Sequence, residues 1–223
     1  SGIATSGAYR TALSGGTYYD VFIVKFNASG KLKWGTYYGG ANIDVADGIC
    51  LDTSGNIYVT GYTYSNSGIS TVGYYGGNGD AFLAKFDSIG RFAWGTYFGG
   101  NDWDQGNAVA VDLSGNSYLT GYTLSAGIVT TGNFQTSFLS GSQASFLAKF
   151  DQSGNQVWET YYGGSANENG QGIITDPSGN VYFAGTTSNK TIIATSGAFQ
   201  TSYGLGARNA FLAKFSGSGS RIW

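Results

Sequence analysis

One series of motifs decides the fold: DAFLAKFD at residues 80–87, WGTYFGG at 94–100 and DLSGN at 112–116. The first motif returns in related form at 21–26, 145–150 and 210–215. The second motif begins with a Trp, and this Trp recurs every 60 to 65 residues, at Trp34, Trp94, Trp158 and Trp223. The third, Asp-x-Ser-Gly-Asn, begins at Asp52, Asp112 and Asp176. Self-similarity at a fixed period indicates a tandem-repeat architecture.

Each repeat contains four short strand signals, which in the central copy fall at about 107–112, 116–123, 145–151 and 156–162. These segments are rich in β-branched and aromatic residues, and short Gly-containing turns join them in pairs. The FLA run at 146–148 is apolar on both faces, as expected when four-stranded sheets stack around an axis. The repeat therefore predicts an all-β protein, a β-propeller of four-stranded antiparallel blades. A β-sandwich would not require tandem copies, and a solenoid has shorter units.

The predicted blade boundaries follow from placing the strand before Asp-x-Ser-Gly-Asn innermost and the Trp strand outermost. Residues 41–98, 101–162 and 165–223 are then three blades, and residues 1–40 supply the outer two strands of another. About three and a half blades in one propeller domain are fewer than the four to eight of a typical ring. We therefore expect part of a longer chain, with other domains or chains as partners that complete the propeller. A start at Ser1 and the absence of Met also suggest a processed chain or an internal fragment.

Composition argues against several functional classes. Charged residues make up 11% of the chain and the net charge is −2, so no basic surface is available for nucleic acid. No apolar run is long enough to span a membrane. The chain has no His, which removes the commonest general base and metal ligand. Cys50, the only Cys, lies in an apolar run, and we expect a buried, unreactive thiol.

The three motifs together resemble the SBBP family of bacterial β-propeller repeats, and the resemblance extends over essentially the whole chain. It implies a large secreted or cell-surface bacterial protein in which such repeats stand beside adhesion or sorting modules. The family has no shared catalytic residues, so the resemblance assigns none to this chain.

A Lys occupies one position of the third strand in every repeat: Lys25, Lys85, Lys149 and Lys214. A buried ammonium group requires a partner. Acidic residues recur at two suitable places, after the Gly pairs (Asp44, Asp104 and Glu168) and at the turns (Asp52, Asp112 and Asp176). A catalytic group is rarely needed four times, so we predict a structural tie between Lys and carboxylate in each blade.

The Asp-x-Ser-Gly-Asn segments admit two interpretations. A calcium loop needs several converging oxygen ligands, whereas each segment offers one Asp and one Asn beside a Gly. We interpret them as hairpin turns. Gly pairs such as 163–164 are not phosphate loops, because neither Gly-Lys-Ser/Thr nor a helix follows. The sequence thus predicts no metal, no cofactor and no catalytic residues.

One loop differs from its counterparts, because Asn101, Asp102, Trp103 and Asp104 include a Trp that the equivalent positions 41–45 and 165–169 lack. An aromatic ring beside Asp and Asn can hold a sugar by stacking and hydrogen bonding, and a lone Trp can equally pack between blades. Long variable connections at 64–79, 124–144 and 188–208 are further candidates for partner recognition.

Two functions follow from these observations. The first is a non-catalytic, adhesin-like structural or protein-interaction module, secreted or on the bacterial cell surface. The alternative is a carbohydrate-binding propeller that recognises a surface glycan through the Trp103 loop. An enzyme is disfavoured, although a pair of carboxylates could in principle hydrolyse glycosides.

Overall fold

The computed structural model describes residues 2–14, 18–71, 76–129, 134–139, 143–190 and 193–223. These residues form thirteen strands and no helix, which confirms the all-β prediction. The strands are β1 (Val21–Phe26), β2 (Leu32–Tyr38), β3 (Asp44–Leu51), β4 (Ile57–Thr63), β5 (Asp80–Phe86), β6 (Phe92–Phe98), β7 (Asp104–Val111), β8 (Ser117–Thr123), β9 (Ala144–Phe150), β10 (Gln156–Tyr162), β11 (Glu168–Thr175), β12 (Val181–Thr187) and β13 (Asn209–Phe215).

The strands form four antiparallel sheets in chain order. The first sheet is β1-β2, the second β3-β4-β5-β6, the third β7-β8-β9-β10 and the fourth β11-β12-β13. The fourth is extended by a single bridge between Phe215 and Arg221. Among the described strands, β1 and β2 pair only with each other, so the sheets do not close into a ring. Four-stranded antiparallel sheets are therefore confirmed, and the total number of blades stays a prediction.

The hairpin turns owe their shape to Asp and Gly. In the turn between β3 and β4, Asp52 Oδ1 accepts hydrogen bonds from the backbone N–H groups of Ser54 and Asn56, both at 2.9 Å. Gly55 adopts φ +76° and donates its N–H to the Asp52 carbonyl, a conformation that a Cβ would disfavour. The same bonds recur at Asp112 and Asp176. The predicted turn chemistry is therefore confirmed at all three Asp residues, and Asp112 and Asp176 also accept hydrogen bonds from the Tyr118 and Tyr182 hydroxyls.

The core lies between successive sheets. Aromatic and aliphatic side chains pack the first sheet on the second, the second on the third and the third on the fourth. Both faces of the middle strands are covered: in β5 and β9, six of seven residues are buried. Such strands show no apolar-polar alternation because neighbouring sheets cover each side.

The repeated Trp side chains tie each sheet to the next one. The Trp94 ring lies against Gly154 in the β9–β10 turn, and its Nε1 donates to the Gln152 carbonyl at 2.9 Å. Trp158 Nε1 likewise donates to the carbonyl of Gly217 at 3.1 Å. Trp94 and Trp158 are buried, at 8% and 4% exposure.

The terminal Trp residues are less buried than Trp94 and Trp158. Trp34 packs on Gly90 of the second sheet but is half-buried, and its Nε1 has no hydrogen-bond partner in the described structure. Trp223 is 40% exposed because no described sheet follows it. Trp34 stands in a sheet of only two described strands, so burial of the repeated Trp depends on both its own sheet and the next one and not on the local sequence.

Candidate functional site

The side chains around Trp103 form an aromatic cluster where two sheets meet. The Trp103 ring centroid lies 4.9 Å from that of Tyr62 in β4 and 5.2 Å from that of Tyr64, which follows β4. Its other side contacts Gly79, where a Cβ would come within 2.9 Å of the indole. Trp103 directly precedes β7 of the third sheet, and its ring thus packs against residues of the second sheet. Tyr62, Tyr64, Trp103 and Tyr122 are hereafter the aromatic cluster.

A chain of hydrogen bonds continues from the aromatic cluster across the inner strands. Trp103 Nε1 donates to the Tyr122 hydroxyl at 2.8 Å, and that hydroxyl donates to Gln105 Oε1 at 2.9 Å. Gln105 Nε2 then donates to Asp47 Oδ2 at 3.0 Å. Asp47 occupies a β-bulge, the extra residue between Ala46 and Gly48 in the β3–β4 register, and partial burial raises the pKa of its carboxyl group. The bulge directs a carboxylate sideways towards the next sheet.

The four residues of the predicted binding loop do not share one environment. Asn101 and Asp102 are exposed and Trp103 is half-buried, so these three can meet a ligand from solvent. Asp104 is fully buried, and its Oδ2 accepts hydrogen bonds from Gly100 N at 2.8 Å and the Ser125 hydroxyl at 2.9 Å. Asp104 therefore faces the interior and does not contribute to a surface site.

The repeated Lys residues lie over Tyr rings that the sequence interpretation missed. Their Nζ atoms stand 5.1, 5.2 and 4.9 Å from the ring centroids, in the pairs Lys85–Tyr58, Lys149–Tyr118 and Lys214–Tyr182. This geometry is a cation–π contact. The Tyr is the second residue of each second strand, directly opposite the Lys. The cross-strand register is the signal that could have revealed it.

Carbonyl and carboxylate groups complete the surroundings of the Lys residues. Lys25 and Lys149 donate to carbonyls in the next sheet, at Ser88 (2.8 Å) and Gly217 (2.9 Å). Lys214 forms a salt bridge with Asp176, with 3.9 Å between Nζ and Oδ2. Among the described residues the predicted tie between Lys and carboxylate is thus an ion pair only at Lys214, through the turn residue Asp176, and Lys25 and Lys149 bind backbone carbonyls instead. The set at Asp44, Asp104 and Glu168 instead binds hydroxyl and Gly N–H groups.

Other possible centres offer less. Cys50 is partly buried, and burial together with the nearby Asp52 raises its pKa to about 12, so the thiol stays protonated and unreactive. A cleft of about 1100 Å³ lies beside the fourth sheet, between the 193–206 segment and Phe211. None of its lining residues belongs to the aromatic cluster. The fourth sheet has a single bridge where the second and third sheets have a fourth strand. The cleft therefore lies at an incomplete sheet, and we do not assign it a function.

Comparison with known proteins agrees with this architecture. The β-propeller repeat model named SBBP matches residues 33–68, 93–128 and 157–192. The chain belongs to the SBBP β-propeller repeat family. Each SBBP match begins at the repeated Trp strand and ends beyond the second strand of the following sheet, so the family unit crosses from one sheet to the next.

A curated relative of this SBBP chain is an uncharacterised WD repeat-containing protein of Acanthamoeba polyphaga mimivirus. It is 30% identical over 108 residues, which cover 45% of the SBBP chain and 8% of the relative. Where the SBBP chain's structure is described, no helix has the length and apolarity that crossing a membrane requires.

Proposed function

We propose that this SBBP chain is a non-catalytic β-propeller scaffold that binds protein partners through the aromatic cluster and the adjoining residues Asn101 and Asp102. The observation that carries the proposal is the convergence of four aromatic side chains from two sheets at one exposed edge. Tyr and Trp are the residues most enriched in binding hot spots. The WD-repeat relative is compatible with an interaction scaffold, since WD repeats form propellers.

The aromatic cluster is suited to recognition because it is rigid yet partly exposed. Tyr64 is 42% exposed, while the packing of Trp103 on Gly79 and its bond to Tyr122 fix the indole. A side chain that is already ordered loses little conformational entropy when a partner binds. Bulged Asp47 and exposed Asp102 add hydrogen-bond acceptors at the rim. A secreted or cell-surface location, as in an adhesin, belongs to the same proposal and is supported by the low share of charged residues and the family resemblance.

Carbohydrate binding is the second candidate, because Asn101 and Asp102 expose polar groups directly beside the Trp103 ring. That combination offers both stacking and hydrogen bonds to a sugar hydroxyl. The two candidates use the same residues and differ in the ligand.

The test uses the purified chain as bait in two formats, a protein binding screen against surface and secreted proteins and a glycan array. Variants Tyr64→Ala and Trp103→Ala remove cluster rings. The matched control is Leu113→Ala, which removes an exposed side chain at the opposite end of β7. Thermal unfolding checks that each variant is folded.

Protein partners retained by the wild type and Leu113→Ala, but lost at least tenfold in the cluster variants, support the scaffold proposal. Glycans with the same pattern and no protein partner would replace it with the carbohydrate candidate. Equal retention by all four baits would contradict a role for the aromatic cluster in either function.

A further inference from the structure

Two buried carboxylates face each other where the second and third sheets meet. Asp80 opens β5 and Asp104 opens β7, and both are 0% exposed. Both border Gly99 on its Cβ side. Asp80 Oδ1 and Asp104 Oδ2 lie 2.5 and 2.6 Å from the point where a Cβ of residue 99 would stand. The two oxygens are therefore at most about 5 Å apart, a distance that two Ca–O bonds can span.

The buried Asp80 carboxylate has neither a hydrogen-bond donor nor a cation beside it in the described structure. Neither of its carboxylate oxygens has a hydrogen bond in the described structure, and the only salt bridge among the described residues is elsewhere, at Lys214. Burial of an unpaired carboxylate is costly. The local geometry thus lacks a positive charge.

A bound cation would satisfy these buried carboxylate oxygens better than a proton shared between Asp80 and Asp104. Asp104 Oδ2 accepts hydrogen bonds from the Gly100 N–H and the Ser125 hydroxyl, whereas neither Asp80 oxygen has a described donor. A proton on Asp80 could bridge to Asp104 through one oxygen, and the second Asp80 oxygen would stay buried without a partner. A calcium ion can bind both oxygens of one carboxylate, and all its preferred ligands are oxygens.

We propose that Asp80 and Asp104 bind a calcium ion that joins the second sheet to the third. The sequence analysis predicted no metal, because its candidates were the hairpin turns. No group of three or more His, Cys, Asp or Glu side chains gathers within the described ranges, so neutral oxygens must complete the coordination. With two carboxylates the expected dissociation constant is about 10⁻⁴ to 10⁻³ M, as in extracellular calcium modules.

The other two sheet junctions supply internal comparisons. Asp20 and Asp44 converge on Gly39 in the same way, but Asp20 Oδ2 already accepts a hydrogen bond from Ser14 N at 2.7 Å, so weaker binding is expected there. Between the third and fourth sheets the position of Asp80 is taken by Ala144, opposite Thr123 as Asp80 is opposite Thr63. That junction has one carboxylate, Glu168, and no calcium is expected.

The experiment is a calcium titration of the chelator-treated chain, followed by calorimetry and by thermal unfolding. Calcium chloride should bind the wild type and raise its Tm, and Asp80→Asn should weaken the stronger site about tenfold or more. The matched control Asp151→Asn removes the same formal charge from an exposed turn and should bind calcium as the wild type does. Magnesium chloride, whose ion demands stricter octahedral geometry, should be much less effective.

Two results overturn the proposal. The first is no heat and no Tm shift in the wild type up to about 10 mM calcium, well above the expected dissociation constant. The second is equal calcium binding by the wild type and Asp80→Asn. If Asp80→Asn does not fold, the wild-type titration and the displacement of bound terbium by calcium still decide. None of these results depends on the aromatic cluster, so failure here is distinguishable from failure of the scaffold proposal.

Discussion

The interior and terminal sheets of this chain carry the same motifs in different surroundings. Trp94 and Trp158 are buried against a following sheet and donate Nε1 to its turn, while Trp34 is half-buried and Trp223 is exposed. Between the first and second sheets, Lys25 donates a hydrogen bond to the carbonyl of Ser88, the turn position equivalent to Gln152. Trp34 Nε1 has no described partner. The difference teaches that the repeat encodes an interface, because the Trp is buried and hydrogen-bonded only where its own sheet has four strands and another sheet follows.

The largest expected difference separates Trp94 from Trp34. Trp94→Ala removes a buried ring and a hydrogen bond, and we expect a loss of about 3–5 kcal/mol in the free energy of unfolding. Trp34→Ala should cost clearly less, because that ring is half-buried and lacks the hydrogen bond. Denaturant unfolding followed by circular dichroism measures both. Equal losses would show that burial in the neighbouring sheet does not set the contribution.

A pair of Gly substitutions sharpens the comparison. In Gly99→Ala the new Cβ would stand 2.5 Å from Asp80 Oδ1, and we expect a loss of about 1–3 kcal/mol from overpacking. Gly172 in the inner strand of the fourth sheet has nothing within 4 Å of such a Cβ. Gly172→Ala should therefore be neutral or stabilise by up to about 1 kcal/mol. A reversed order in chemical denaturation would contradict the interior packing at Gly99.

The third prediction concerns the pH dependence of the junction at Glu168. Burial raises the pKa of Glu168 from 4.5 to about 7, so the folded chain holds this proton more tightly than the unfolded chain. Its contribution is complete below about pH 4.5 and is lost as pH rises through 7. Glu168→Gln should remove this loss, on the order of 1–2 kcal/mol after partial solvent screening. Calcium-free Tm measurements between pH 4.5 and 8.5 test it. Parallel curves for the two chains would refute it.

The smallest expected effect is that of the repeated Lys. Lys85→Met removes a cation–π contact with Tyr58, for which we expect about 0.5–1 kcal/mol, while the Met retains much of the apolar packing. A double-mutant cycle with Tyr58→Leu isolates the pair. Lys25→Met is the comparison in the first sheet, where no described Tyr stands opposite. A coupling energy near zero would mean that the Lys is held by its other neighbours.

The fold could be predicted from the sequence to a greater extent than the site. Strand pairs, turns and the order of motifs are local or periodic, so DAFLAKFD and Asp-x-Ser-Gly-Asn indicated four-stranded sheets correctly. The contacts of Trp103 with Tyr62 and those of Asp80 with Asp104 join different sheets. Their distances depend on how one sheet packs on the next, which no single repeat specifies. For the same reason Asp104 could be assigned to a surface loop from the sequence, although it is buried.

The offset between the SBBP unit and the sheet has a consequence for how such chains lengthen. One matched unit, 33–68, contains Trp34 from one sheet and Asp44 from the next. It also contains the hydrogen-bond donors to the Asp44 carboxylate, which are Gly40, Thr63 and Ser65. Duplication of that segment with its linker would copy the contact between two successive sheets and not one complete sheet. The position of the second carboxylate lies outside the matched units. It is occupied by Asp20 and Asp80 in two repeats, and by Ala144 and Asn209 in the other two. Duplication of the matched unit would thus preserve the contact between sheets, while the charge at the position of Asp80 varies from repeat to repeat.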